Sequence, residues 1–152
     1  MPSDAERLLP DVAATHAFAA ELAEGLRPGD VLALVGDLGA GKTELVRGLV
    51  AALGAPADTA VCSPSFLLLN VYRGGRLPVA HYDAYFMDSS DDLERAGLND
   101  QLRAGALAVV EWADRVPEAL PRGARWLELL HVTGDAGARR VRPLPRAPEP
   151  AA

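Results

Sequence analysis

Apolar and polar positions follow two periods along this chain, and the places where the period changes mark its elements. In "PDVAATHAFAAELAEGL" (10–26), Phe18, Leu22 and Leu26 recur every four residues among alanines. That is the spacing of one buried helix face, with Asp11 placed to cap the first turn. Pro28, Gly29 and Asp30 then predict a turn. "VLALV" (31–35) is apolar without alternation, as expected of a strand covered on both faces of a largely parallel sheet. "TELVRGLVAAL" (43–53) returns to helical spacing, with Leu45, Val46, Leu49 and Leu53 on one face and Gly54 as its stop. Further on, "FLLLNVY" (66–72) and residues 77–80 flank the "RGGR" turn as a hairpin, and 106–110 reads as another buried strand. No internal repeat or linker interrupts the series.

Composition narrows the class. The chain has 152 residues, 49% of them hydrophobic, enough for one domain with its own core. Its longest apolar runs fall far short of the roughly 20 residues that a membrane span needs, and residues 1–10 carry acids and no apolar stretch of signal-peptide type. The expected location is cytoplasmic, with no membrane association. The lone Cys62 suits a reducing compartment and reads as a small packing residue. His16 and His131 show no ligand spacing with each other or with Cys62, which gives a structural zinc no support. Residues 1–138 carry 11 basic and 20 acidic side chains, whereas 139–152 carry four Arg and one Glu. So acidic a body is a poor nucleic-acid binder by itself. The Pro- and Arg-rich end predicts a domain over 1–142 and a disordered tail over 143–152.

The chemistry concentrates between the first buried strand and the second helix. Gly36, Gly41, Lys42 and Thr43 fit the spacing G-x-x-x-x-G-K-[ST] of a phosphate-binding loop, in the strand, loop, helix order that such a loop requires. Its span is Gly36, Asp37, Leu38, Gly39, Ala40, Gly41, Lys42 and Thr43, with Glu44 following. Glycines let successive N–H groups turn inward, and the helix start adds its positive dipole end. Lys42 is the chain's only lysine among 14 arginines. A compact ammonium fits between phosphate oxygens where a planar guanidinium is too broad. That ammonium is expected to be solvated when no phosphate is bound, and the Glu44 side chain to point away from the loop. Thr43 offers a hydroxyl to Mg²⁺. The fold class implied is α/β and P-loop NTPase-like, with a central, largely parallel sheet, a β-hairpin and flanking helices. Such a site needs an acid at the end of another buried strand. Glu111 and Asp83 are the two candidates. His81, two residues from Asp83 on the same strand face, reads as a packed, hydrogen-bonded histidine. Trp112 reads as a core aromatic.

These segments resemble the TsaE family, the bacterial P-loop ATPases of tRNA threonylcarbamoyladenosine biosynthesis. "GDLGAGKT" matches the family's phosphate loop, "SPSF" (63–66) is similar to its S-P-T-[FY] switch, "HYDAYF" to H-[FY]-D-L-Y-R, "VVEWADR" to its Glu-Trp strand end and "LPDVAAT" to its P-D-x-x-x-T start. The resemblance implies that the Gly36 to Thr43 backbone and Lys42 hold ATP phosphates, that Thr43 and Glu111 serve Mg²⁺, and that Asp83 is the other acid of hydrolysis. Ser65 would act near the γ-phosphate. For Trp112 the resemblance suggests, instead of a core position, a residue facing the nucleotide or a partner. Phe86 stands where the family has Arg, and Ala84 where it has Leu. The implied role is a weak ATPase that supports the TsaD and TsaB homologues, reaches tRNA indirectly and is not itself the transferase. If the protein touches tRNA, the contact is expected through Arg139, Arg140, Arg142 and Arg146. The rival reading from the residues alone is a small-molecule or nucleotide kinase, against which stands the acidic stretch after Tyr85. A nucleotide-binding scaffold without turnover would need Lys42 but neither acid.

Overall fold

The structure is a computed structural model and describes residues 5–149. The first four positions of the 1–142 domain and the last three of the 143–152 tail lie outside the described residues. A seven-stranded sheet runs in the order β1-β7-β6-β2-β5-β4-β3. Its strands are β1 (Arg7–Leu9), β2 (Val31–Val35), β3 (Leu69–Tyr72), β4 (Val79–Asp83), β5 (Leu107–Glu111), β6 (Arg125–Val132) and β7 (Asp135–Leu144). The four inner strands β6, β2, β5 and β4 are parallel, and antiparallel strands close both edges.

Every residue of β2, β4 and β5 is buried, because helices cover both faces of the sheet. Helices α1 (Val12–Glu24) and α2 (Lys42–Ala52) lie on one side, where Phe18, Leu22, Leu45 and Leu49 pack on Leu32, Leu34, Leu107 and Val109. The short helices α3 (Ser90–Arg95) and α4 (Leu98–Arg103) lie on the other, where Leu93 and Leu98 join Val31, Ala33, Tyr82 and Val110. The continuous apolar run of 31–35 is thus split residue by residue between two cores. Asp11 caps α1 as expected, its Oδ1 accepting from the Ala14 N–H at 2.8 Å. Gly54, at φ 93°, ends α2 in the left-handed conformation that glycine adopts most easily.

Three boundaries differ from the sequence reading. Phe66 to Leu68 do not extend β3; Leu68 turns to φ 67° and its N–H donates to the Pro64 carbonyl, so the chain is coiled up to Leu69. β4 starts two residues later than residue 77 and runs through Asp83, placing that acid in the strand's last position. The tail boundary at 142 falls short, since Pro143 and Leu144 pair with Leu127 and Trp126 in the sheet. Among the described residues, no helix is long and apolar enough to cross a membrane.

Candidate active site

The site forms where β2, β5 and β4 end side by side. β2 feeds the glycine loop directly into α2, and β5 and β4 stop in register with Glu111 opposite Asp83. Their backbones therefore bring two acids to the foot of the loop, at the carboxyl edge of a parallel sheet. A cleft of about 770 Å³ opens there. Leu38 to Glu44, Ser65, Asp83 and Glu111 all line it, so these sequence-predicted residues converge, while Gly36 and Asp37 form the loop's other wall.

The loop's shape depends on glycine. Gly36, Gly39 and Gly41 have φ values of 155°, 77° and 101°. A Cβ on Gly36 would also lie 2.5 Å from the Leu129 carbonyl oxygen of β6, so the loop can only cross that strand without a side chain. Two residues unforeseen from sequence hold the loop's outer rim. His131 Nε2 lies 3.1 Å from the Leu38 carbonyl oxygen, and the Arg139 guanidinium donates to the Gly39 carbonyl at 3.0 Å. Both come from the β6–β7 hairpin, about a hundred residues away in sequence, and no local pattern foretells such a contact.

Lys42 is not the solvated ammonium that the sequence suggests. It is only 5% exposed, and its Nζ donates to the carbonyls of Gly36 at 2.5 Å and Asp37 at 3.0 Å. It also lies 4.2 Å above the ring of Trp112, a cation–π contact. Burial pushes its pKa below the ordinary lysine value, against the pull of Glu111, Asp83, Asp114 and Asp37. Trp112 is accordingly a half-buried wall of the cleft rather than a plain core residue. Its φ of 56° is left-handed and strained for a bulky side chain, and it turns the indole under the ammonium.

The two acids differ in what holds them. Glu111, 2% exposed, accepts from the Thr43 hydroxyl on Oε1 at 2.8 Å and from His81 Nε2 on Oε2 at 2.9 Å. Asp83, 3% exposed, accepts from the Ser63 and Ser65 hydroxyls on Oδ2 at 2.5 and 3.0 Å and from the Tyr85 N–H on Oδ1 at 2.8 Å. Ser63 sits in the quoted "SPSF" segment, yet only Ser65 stood out from sequence. Glu44 does turn aside: its carboxylate binds His16 Nε2 at 2.6 Å and the Arg47 guanidinium. Phe86 stacks on Phe66 at 5.9 Å between ring centroids, so an exposed aromatic pair edges the cleft where the resembled family carries an arginine.

The oxygen donors of Thr43 and Glu111 fit magnesium, which takes one or two protein ligands and completes its shell with phosphate and water. Among the described residues, no group of three or more His, Cys, Asp or Glu could hold a metal alone. A metal here would come with a phosphate ligand.

Of the four arginines expected to carry any tRNA contact, three are engaged with the fold and Arg146 only with a neighbour in its own terminal segment. Arg139 holds Gly39; Arg140 lies 3.8 Å from Glu6, Arg146 lies 3.7 Å from Glu149, and Arg142 pairs with Glu128. Exposed pairs of this kind are weak.

Comparison with known proteins covers most of the chain. The family model described as threonylcarbamoyl adenosine biosynthesis protein TsaE matches residues 9–141. A tRNA threonylcarbamoyladenosine biosynthesis protein TsaE from Bacillus subtilis is 41% identical over 108 residues, covering 71% of this chain and 66% of that protein. One from Synechocystis is 38% identical over 117 residues, covering 74% and 73%. The crystal structure of Bacillus subtilis YdiB superposes with a TM-score of 0.71 at 30% identity, covering 90% of this chain and 81% of that one.

Proposed function

The chain belongs to the TsaE family of tRNA threonylcarbamoyladenosine biosynthesis proteins, and from that premise we propose that it is an ATP-binding and ATP-hydrolysing accessory of this tRNA modification, acting with TsaD and TsaB homologues. The observation that supports it best is the convergence of Lys42, Thr43, Glu111 and Asp83 at one cleft. The loop N–H groups and the Lys42 ammonium would bind the β- and γ-phosphates. Thr43 and Glu111 would hold Mg²⁺, which supplies charge neutralisation of the phosphates when bound. Asp83 would orient a water, and Ser65, hydrogen-bonded to it, would reach the terminal phosphate. The cleft's flank near Asp11, Val12 and Thr15 would leave room for the nucleoside.

A kinase would need cationic groups to clamp a second substrate and close over it. Among the described residues, the only cationic side chains lining the cleft are Lys42 and Arg139, and Arg139 spends its guanidinium on the carbonyls of Gly39, Ala136 and Ala138. In α3 and α4, Arg95 and Arg103 pair with Asp92 and Asp100 of their own helices.

The test combines calorimetry with phosphate release, using the isolated protein and then the protein with cognate TsaB and TsaD. ATP is expected to bind with magnesium, and phosphate release to be slow alone and faster with the partners. Loss of ATP without free phosphate, its terminal group moved to an added small molecule, would favour the kinase. A further expected result concerns RNA. The isolated protein should show no micromolar binding of tRNA at about 150 mM salt, because RNA affinity draws on phosphate neutralisation. Changing Arg139, Arg140, Arg142 and Arg146 together to Gln should leave filter binding unaltered. Tight binding by the parent, lost in that variant, would restore the basic end as an RNA contact.

A further inference from the structure

Two buried residues without a task in this scheme, His81 and Tyr72, join its separate parts. His81 is fully buried. Its Nε2 meets Glu111 Oε2 at 2.9 Å and its Nδ1 meets the Tyr72 hydroxyl at 3.0 Å. The same hydroxyl lies 3.0 Å from the Cys62 carbonyl oxygen and accepts from the Cys62 N–H at 3.4 Å. With its one proton given to Nδ1, it stays tied to the Cys62 backbone through that N–H. A continuous path thus runs from Thr43 through Glu111, His81 and Tyr72 to the backbone immediately before Ser63. Its direction is fixed at one end. An ionised carboxylate only accepts, so Nε2 carries its proton toward Glu111 while the Thr43 hydroxyl donates to the other oxygen. One donor on each oxygen, from different elements, leaves the carboxylate a single orientation.

At the far end the path reaches the root of the segment that carries Ser63 and Ser65. The Cys62 carbonyl accepts from Asn70 Nδ2 at 3.1 Å, and the Val61 carbonyl accepts from Arg47 at 2.9 Å. The root is therefore held from β3 and α2. The two serines are held on Asp83, two residues along β4 from His81. Burial pushes the Tyr72 phenol above its ordinary pKa, which keeps its hydroxyl protonated and able to donate.

The geometry points to His81 and Tyr72 as positioning residues, a buried relay that fixes the Glu111 carboxylate against Thr43 and ties it to the backbone at Cys62. The orientation of the metal-side acid and the placement of residues 62–66 then change together. This rests on the nucleotide reading above, and the test separates the two.

Three variants cut the relay at different links. His81→Gln keeps a donor at the reach of Nε2 and loses the Tyr72 link. His81→Asn keeps a polar atom near the Nδ1 position and loses Glu111. Tyr72→Phe keeps the ring and loses the hydroxyl. The first readout is hydrogen exchange in the protein without nucleotide. Tyr72→Phe should speed exchange of the 62–68 amides severalfold and leave β2 unchanged. The second readout is the gain in ADP affinity from magnesium, measured as the Kd in EDTA over the Kd in Mg²⁺. His81→Asn should lower that ratio by about tenfold, the usual cost of losing a group that orients a metal ligand, and His81→Gln should largely retain it. A purely packing role for His81 predicts equal ratios in the parent and both variants, which would overturn the proposal. Unchanged exchange in Tyr72→Phe would overturn the tie to Cys62. A parent that binds ADP in neither condition would instead overturn the nucleotide reading, and the exchange result would still decide whether the tie exists.

Discussion

Lys42→Ala is expected to weaken ATP binding by at least about a hundredfold. Each charge-assisted hydrogen bond from an ammonium to a phosphate oxygen contributes roughly 1.5–3 kcal/mol, and a compact ammonium can supply two. Losing about 3 kcal/mol corresponds to about two factors of ten in Kd. The structure adds a second consequence that a solvated lysine would not have. Removing the buried Nζ takes a donor from the Gly36 and Asp37 carbonyls and opens a gap above Trp112, so the melting temperature should fall by a few degrees while the core stays folded. Lys42→Arg is the sharper test of why a single lysine survives among arginines. A planar guanidinium must fit between two carbonyls and an indole face in a space shaped for one nitrogen. Its affinity for ATP should drop by at least about tenfold. Titration calorimetry of the two variants checks both statements, and an Arg variant as tight as the parent would defeat the geometric explanation.

What sequence showed and what it missed divide along a physical line. β2, the loop and α2 were legible because each is specified by its own residues: a five-residue apolar run, three glycines and a four-residue hydrophobic repeat. The acids were legible because they end buried strands, where a charged residue is out of place unless it has a task. The β6–β7 hairpin went unread. "RWLELLHV" spaces its polar residues by three and "DAGARRVRPL" spaces them irregularly, so neither shows the two-residue alternation or the continuous apolar run of a strand. With that hairpin went the roles of His131 and Arg139 on the loop rim, and the end of the domain, set at 142 where β7 runs to Leu144. Ser63 and Tyr72 were missed for a related reason. Each acts through a partner brought close only by the fold, 20 residues away for Ser63 and Asp83 and nine for Tyr72 and His81.

Glu111→Gln should separate binding from turnover, though not as an isosteric swap. Both carboxylate oxygens of Glu111 accept a hydrogen bond, one from Thr43 and one from His81. A glutamine has a single acceptor oxygen, so it keeps both contacts only with that oxygen toward His81 and its NH₂ donating to the Thr43 hydroxyl, whose role then reverses. The side chain is therefore expected to lose its charge and to present an NH₂ instead of an oxygen on the Thr43 side. ATP should still bind through the loop N–H groups and Lys42, with a Kd in EDTA within about threefold of the parent, since neither is hydrogen-bonded to Glu111. The tightening normally given by Mg²⁺ should shrink, and hydrolysis should fall by at least about tenfold, the lower end of what positioned acids contribute. Asp83→Asn makes the contrast. Its carboxylate accepts from Ser63, Ser65 and the Tyr85 N–H, none of which belongs to the Thr43–Glu111 pair. Turnover should fall there too, but the magnesium dependence of binding should persist. Single-turnover hydrolysis beside nucleotide titration with and without Mg²⁺ distinguishes the two acids. Undiminished hydrolysis in Glu111→Gln would remove that residue from the mechanism and leave Asp83 as the acid that matters.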